Sequence, residues 1–396
     1  LGAQAVVKIT DIKVHLLPVD FRTWVLVKVE TDEPGLFGWG EATLEWKARS
    51  VSAAIAEYRE MAIGENPEAP RALVRKLVKR HFWRPGIIGM SAISGIEMAC
   101  WDILGKRLGR PVADMFGGRL RDRIPVYTHL GYGASADVYD RSMGGAMAEN
   151  IAAIAAKGYH AVKVVNVPFH SSYVFAGRRN AYFDLLDCIL DQARGRIDVA
   201  LDVHGRCGSM ASAESLLAHL DGKDLLFVEE VFQPGSASDL AHLARRFRVR
   251  LATGERLVDR SDFVDLGRAN SVSVFQPDIA HCGGIAAAME IATLASAFGL
   301  SVAPHNPLGL VASTVGLHFG LTAPAFLIQE EMSANFAFAA DFIRTPIRFR
   351  EGFWELEPCI GLGLEIDEAF LSRLAGRSEP LITETAWDPD GSVADW

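Results

Sequence analysis

Three carboxylates, Asp202, Glu229 and Glu255, each follow a short apolar run: Val199-Ala200-Leu201, Leu225-Leu226-Phe227-Val228 and, a little further upstream of its acid, Val249-Arg250-Leu251. The runs recur about every 25 residues, the length of a strand plus a helix, and a parallel barrel gathers the carboxyl ends of its strands at one mouth. Three hard oxygen ligands at such a mouth suit one Mg²⁺, which keeps its remaining positions for water and substrate. The chemistry this serves is removal of a proton next to a carboxylate. Such a proton is too weakly acidic for any side chain to take unaided, so a cation on the substrate carboxylate must stabilise the ene-diolate that forms.

The base has to face that carbon, and His305, after Leu300-Ser301-Val302-Ala303-Pro304, is the best candidate. Asp278 ends the preceding apolar run, where it can hold the far nitrogen of the ring and raise its basicity. His204 lies two residues beyond Asp202, on the same face if the strand stays extended, and is placed to protonate a leaving hydroxyl. A lone histidine is usually a satisfied core residue, but two of them beside three carboxylates at strand ends favour chemistry. Together these groups describe β-elimination of water from a hydroxy acid.

Other polar residues admit two readings each. Lys163 either neutralises the substrate carboxylate or assists the metal site, and a solvated lysine is the plain alternative. Val165, two residues on, leaves one ammonium on that strand and no second base for a racemase. Arg206 either clamps an anionic substrate or pairs with a neighbouring carboxylate. Glu330 either orients a water or supports Lys163 or His305. Arg256 reads equally well as structural, and the basic run Arg71, Arg75, Lys76, Lys79, Arg80 reads as the solvated face of a helix.

The elements that position these residues change character along the chain. Ile9 to Leu17, Trp24 to Val29 and Gly38 to Glu41 read as an antiparallel meander with turn chemistry at Asp32-Glu33-Pro34-Gly35. Helical spacing follows over Val51 to Ile63, Arg71 to Phe82 and Ser91 to Leu108, stopped by Gly109 and Pro111. Residues 1–123 are therefore expected to form an α+β unit. From Ile124 strands and helices alternate: Ile124 to Leu130, Ala146 to Lys157, Ala161 to Val165, and on to Phe326-Leu327-Ile328-Gln329. Strand ends fall at Lys163, Asp202, Glu229, Glu255, Asp278, His305 and Glu330. A polar group at every one of them predicts a βα barrel over 124–341 with its active face there. A doubly wound open sheet would need a glycine-rich turn after its first strand, and none stands there. The tail, 342–396, carries an amphipathic stretch from Asp367 to Leu374 and is expected to pack back on the first unit.

At 396 residues and 49% hydrophobic content, the chain can build two cores. A net charge of −9 and a pI near 5.7 argue against nucleic acid or an anionic membrane as partner and for a small molecule. Without an uninterrupted apolar run of about 18 to 20 residues or a leader-like start, the expectation is a soluble, cytoplasmic protein. Five scattered cysteines, Cys100, Cys188, Cys207, Cys282 and Cys359, read as buried reduced thiols.

At these residues the chain resembles the enolase superfamily, mandelate racemase/muconate lactonizing branch, and within it the acid-sugar dehydratases of the galactonate dehydratase type. The resemblance spans nearly the whole chain. It rests on Gly38-Trp39-Gly40-Glu41, Met90 to Glu97, Trp101-Asp102-Ile103, Leu201 to Arg206, Val228-Glu229-Glu230, Gly254-Glu255-Arg256, Gln276-Pro277-Asp278, Gly283-Gly284 and Ala303 to Gly309. It implies an α/β fold, a modified (β/α)₇β barrel under an α+β capping domain completed by the C-terminal segment. It implies Asp202, Glu229 and Glu255 as ligands of one Mg²⁺ per subunit, His305 with Asp278 as base dyad, and Glu330 as the glutamate of the last barrel strand. His204 is then the acid that expels the 3-hydroxyl of a sugar acid to leave a 2-keto-3-deoxy acid. It also implies a homo-oligomer, with capping loops touching the distal end of the substrate. Those loops are Pro18 to Trp24 and Leu44-Glu45-Trp46-Lys47, which puts Trp24 and Trp46 against the substrate. Val164 to Ser172 differs from the galactonate enzymes, where an acidic stretch follows the lysine. Other lyases or isomerases of the branch, such as mannonate or gluconate dehydratases or a cycloisomerase, and a catalytically weak sensor are the alternatives.

Overall fold

The amino-terminal strands of the computed structural model, which describes residues 6–19, 22–131, 146–165, 176–235, 237–374, 387 and 390–394, form the expected meander. β1 (Ile9–Val19), β2 (Arg22–Thr31) and β3 (Phe37–Glu41) pair antiparallel, with Val14 opposite Val27 and Val27 opposite Gly40. Against them lie α1 (Ala48–Ala62), α2 (Pro70–Lys79) and α3 (Gly86–Leu108). Gly38 and Gly40 explain their own motif: a Cβ at either would run into the carbonyl oxygens of Ala99 or Gly95, so glycine alone lets β3 lie on the α3 backbone. α3 is long and apolar enough to cross a membrane by length and composition. Yet 78% of its most apolar window is buried inside the molecule, the environment of a core helix.

Eight parallel strands form the barrel: β4 (Arg123–His129), β5 (Ala161–Val164), β6 (Asp198–Asp202), β7 (Val228–Glu229), β8 (Leu251–Thr253), β9 (Val274–Phe275), β10 (Ser301–Val302) and β11 (Gln329–Glu330). Each pairs with the next from β4 to β10; β11 pairs with β4, and a bridge from Val302 to Phe326 completes the ring. A helix fills each connection: α4 (Ala146–Ala156), α5 (Ala176–Ala193), α6 (Met210–Leu220), α7 (Ala237–Arg246), α8 (Arg260–Ala269), α9 (Ile285–Phe298) and α10 (Leu310–Thr322). This is the (β/α)₇β order under a capping domain. One inward residue per strand plugs the interior: Tyr127, Ala161, Ala200, Phe227, Ala252, Val274, Ala303 and Ile328. The small ones make room for the Tyr127 and Phe227 rings, which meet edge to face at 6.1 Å.

Two details depart from the sequence reading. The ladder stops at Phe275 and Val302, so Asp278 and His305 lie beyond their strands, joined by an isolated parallel bridge. Pro277 and Pro304, which have no N–H to give, sit just where the ladder ends. The tail divides: β14 (Phe353–Leu356) extends the barrel sheet antiparallel to β4, with β13 (Ile347–Arg350) antiparallel to β14 beyond it, while β12 (Ile343–Arg344) pairs with β15 (Glu365–Ile366). Among the described tail residues, α11 (Glu368–Leu374) packs on β1 of the meander, where Glu368 takes the Lys28 ammonium at 2.5 Å. Of the cysteines, Cys188 is exposed on α5, against the expectation of burial, because that helix turns it to solvent.

Buried carboxylates fasten the capping domain to the barrel. α9 and α10 begin without side-chain caps of their own. Glu97 of α3 accepts from Ile285 N (2.9 Å) and Ala286 N (3.0 Å), and Glu41 of β3 accepts from Gly309 N (2.8 Å) and Ala312 N (2.9 Å). Each acid satisfies orphan donors and meets the positive end of a helix dipole. Burial pushes Glu97 up to about 7 despite those bonds. Glu97→Ala leaves three N–H groups without acceptors, those of Ile285, Ala286 and the Trp101 indole, and should cost about 2 to 4 kcal/mol, read as a lower urea midpoint at unchanged slope. A midpoint equal to that of the parent would show that this fastening carries no stability.

Candidate active site

Asp202 and Glu229 are the last residues of β6 and β7, adjacent in register, and Glu255 follows β8 by two residues. Gly254 makes that last placement possible, because it sits at φ +144° and a Cβ there would strike the Phe263 ring and the Gln276 backbone. The ligand oxygens of the three acids lie within 4.8 Å of one another. Burial raises Glu229 to about 7 and lifts Glu255 well above the carboxylate range, with the charge of Asp202 adding to both. Glu255 Oε2 is buried without a hydrogen-bond donor. Converging buried acids with an unsatisfied oxygen fit a hard divalent cation.

Lys163 is no solvated lysine. It is 1% exposed, with Nζ 3.2 Å from Asp202, 3.1 Å from Glu229 and 2.6 Å from Glu330. Burial works against its charge, but Glu229 and Glu330 outweigh that and hold the ammonium well above its ordinary range. Glu330 also accepts from His129 Nε2 at 2.6 Å and from the backbone N–H of Asn306 at 2.7 Å. It therefore supports Lys163 directly and steadies the residue that follows His305.

His305 Nδ1 donates to Asp278 Oδ2 at 2.8 Å, which leaves Nε2 directed inward, 3.5 Å from Glu255. Burial disfavours its cation, yet Glu255, Glu330 and Asp278 prevail and lift the ring to about 10. His204 reaches the cavity by a different route from the one its spacing suggests. β6 ends at Asp202, and His204 turns back with φ +51°, its N–H on Asp202 Oδ1 and its Nε2 3.1 Å from Oδ2. Burial lowers its basicity. His204 follows the third barrel strand and His305 the seventh, so they stand on opposite sides of an eight-stranded mouth.

The cavity between them has a volume of about 450 Å³ and is roofed by Leu44 to Lys47 of the capping domain, so Trp46 lines it as expected. Trp24 does not. It is fully buried against Phe336, ring to ring at 5.0 Å, because β2 turns it into the seam between cap and barrel. Arg206 does not line the cavity either: its guanidinium lies behind His204, 3.5 Å from Nδ1. Arg256 is held by Glu230 and Gln233, at the cavity wall. Of the divergent stretch after Lys163, residues 166–172 lie outside the described residues, as do Asp20 and Phe21.

Two lining histidines escaped the sequence reading. His129 is the polar end of the first barrel strand, the same signal that marked the other seven, and could have been found by extending that count by one. His281 stands in a loop where no periodicity marks it.

Fold and site define an enzyme class, a capped (β/α)₇β barrel with three converging carboxylates and two histidines at its mouth. The chain matches the family described as mandelate racemase/muconate lactonizing enzyme, N-terminal domain, over residues 4–117 and the enolase C-terminal domain-like family over residues 146–370, and it belongs to that branch of the enolase superfamily. It is 35% identical to a D-galactonate dehydratase of Variovorax paradoxus (strain S110), over 94% of this chain and 96% of that one. A D-galactonate dehydratase of Ralstonia pickettii (strain 12J) is 34% identical over 98% and 100%. Among solved structures, an enolase from Agrobacterium radiobacter bound to sodium and L-malate superposes with a TM-score of 0.83 at 27% identity, covering 98% of this chain and 99% of that one. A mandelate racemase/muconate lactonizing enzyme from Sulfitobacter sp. gives 0.83 at 29% identity, covering 94% and 97%. With those relatives, the chain is an enzyme of the dehydratase kind, a hydro-lyase.

A divalent cation held by the trio stabilises the fold by mass action, about 2.7 kcal/mol at a hundredfold excess over its dissociation constant. Thermal unfolding with and without Mg²⁺ should show that gain in the parent and little of it in Glu255→Gln. A parent transition indifferent to the ion would remove the trio as its site.

Proposed function

We propose that the protein is a Mg²⁺-dependent dehydratase of an acid sugar, an aldonate, which removes the proton next to the carboxylate and expels the 3-hydroxyl to leave a 2-keto-3-deoxy acid. The observation that carries the reading is the pair of histidines on opposite sides of three convergent carboxylates. Dehydratase relatives at 34–35% identity and a neighbour that holds a cation and a hydroxy acid support it.

Asp202, Glu229 and Glu255 would hold one Mg²⁺. When bound, it supplies the Lewis acid that an ene-diolate needs. The chain's own groups do the rest. Asp278 keeps the proton of His305 on Nδ1, so the lone pair of Nε2 faces the cavity and takes the α-proton. Glu255, Glu330 and Asp278 together hold His305 as a cation, and a metal sharing the charge of Glu255 would weaken the first of these pulls, toward the neutral ring that a base needs. Lys163 places a fixed positive charge beside the trio, where the substrate carboxylate would lie. His204, across the mouth, delivers a proton to the departing hydroxyl, and Trp46 and its neighbours close the site against water. The reading includes a cytoplasmic homo-oligomer, whose subunit number light scattering would measure.

Incubation with C5 and C6 aldonic and aldaric acids and Mg²⁺ should yield a 2-keto-3-deoxy product from at least one aldonate, and a silent panel would count against the reading. In D₂O, His305→Asn should lose both α-proton exchange and dehydration, by about 10²- to 10⁴-fold. His204→Asn should stop dehydration and still exchange the α-proton. Full dehydration by the His305 variant would refute the assignment of the base.

A further inference from the structure

We infer that His281 is a positioning residue for the base, through which the capping domain sets the orientation of the His305–Asp278 pair. The inference rests on the proposed role of His305 as base, and no motif used so far assigns His281 anything.

His281 is buried, 5% exposed, in the loop between β9 and α9. Its Nδ1 lies 2.9 Å from Ser91 Oγ on α3, and its Nε2 lies 3.5 Å from Asp278 Oδ2. That carboxylate oxygen is the same one that accepts from His305 Nδ1. Asp278 Oδ1 is occupied separately by the backbone N–H of Ala280 at 2.7 Å. Asp278 therefore stands with one oxygen fixed by its own loop and the other between two imidazoles. If the Ser91 hydroxyl donates to Nδ1, His281 carries its proton on Nε2 and turns a donor toward Asp278. Ser91 Oγ also donates to the Ile87 carbonyl at 2.7 Å, and when it does so it accepts from Nδ1–H instead, so the direction of the Ser91 bond sets which tautomer His281 presents to Asp278.

The contact is one of a row. Ser91, Ser94 and Glu97 are three residues apart on α3 and so share one face. They meet His281, Gly283 N (2.9 Å to Ser94 Oγ) and the first N–H groups of α9 in order. One helix face of the capping domain thus holds the whole loop that carries Asp278. Ser94 and Glu97 grip backbone N–H groups, whereas Ser91 grips a ring that continues to the dyad. A shift of the cap reaches the base through that ring, without any contact between the cap and His305.

Two substitutions separate the ends of the ring. Asn at 281 keeps a polar atom near Nδ1 for Ser91 and offers nothing to Asp278, while Gln extends an amide donor to the Nε2 position. The downfield proton resonance of His305 Nδ1–H, assigned by its loss in Asp278→Asn, reads the dyad in the Mg²⁺-loaded protein without any substrate. We expect His281→Asn to shift or broaden that resonance and His281→Gln to restore it, with Ser91→Ala acting in the direction of Asn but less. On an aldonate that the parent dehydrates, kcat should fall about tenfold in His281→Asn at unchanged KM and recover in His281→Gln. An unchanged resonance in a folded His281→Asn protein would overturn the inference; so would a raised KM at unchanged kcat, which marks a substrate contact instead. Should His281→Asn not fold, Ser91→Ala decides by the same resonance. A parent that dehydrates no aldonate defeats the functional reading alone, since the resonance still decides the role of His281.

Discussion

Repulsion among buried carboxylates at the barrel mouth is the constraint around which the rest of this protein is arranged. Asp202, Glu229, Glu255, Glu330 and Asp278 converge where water is scarce, and each would be costly alone. Lys163 offsets part of that charge by touching three of them, and the histidines take up more. What is left over is negative and concentrated on the trio, which is the form of a cation site. The same crowding holds His305 as a cation, with Glu255 the largest of the pulls, so the charge of one carboxylate bears on both the candidate cation site and the imidazole beside it.

Such a cluster needs a rigid frame, and the frame is a second use of buried acids. Glu41 and Glu97 of the capping domain serve as the N-terminal caps of α10 and α9, and Asp102 takes the N–H groups of Trp39 and Leu362. Those helices follow the loops that carry His305 and Asp278. The cap is thus more than a lid: the bonds that attach it run into the segments bearing the dyad, and the roof it supplies, with Trp46 in it, closes the cavity from above. An interface made of apolar contacts alone would tolerate sliding, but hydrogen bonds to helix ends have a direction and set a register.

Much of the site was legible in the chain because a parallel barrel converts sequence spacing into spatial adjacency. Acids that end apolar runs one strand-plus-helix apart must meet, and Asp202, Glu229 and Glu255 do. The same rule placed Lys163, Glu330 and the His305–Asp278 pair on one mouth. It failed where the backbone leaves the strand. His204 arrives through a left-handed turn, and Asp278 and His305 stand past a ladder ended at prolines. It had no say over Arg206, which lies behind His204, and the resemblance that put Trp24 against the substrate missed its turn into the seam, since a side chain's direction depends on what packs around it.

Period and residue type, set by local backbone geometry, are enough to read from sequence the fold class and the convergence of the acidic trio and of the His305–Asp278 pair. The partners of those groups are another matter. That Lys163 sits among three acids, that His129 holds Glu330, and that His281 reaches Ser91 depend on contacts spanning 39 to 201 positions of chain, from Lys163–Asp202 to His129–Glu330. No local pattern encodes a contact of that range, because it forms only when the barrel closes and the capping domain settles on it.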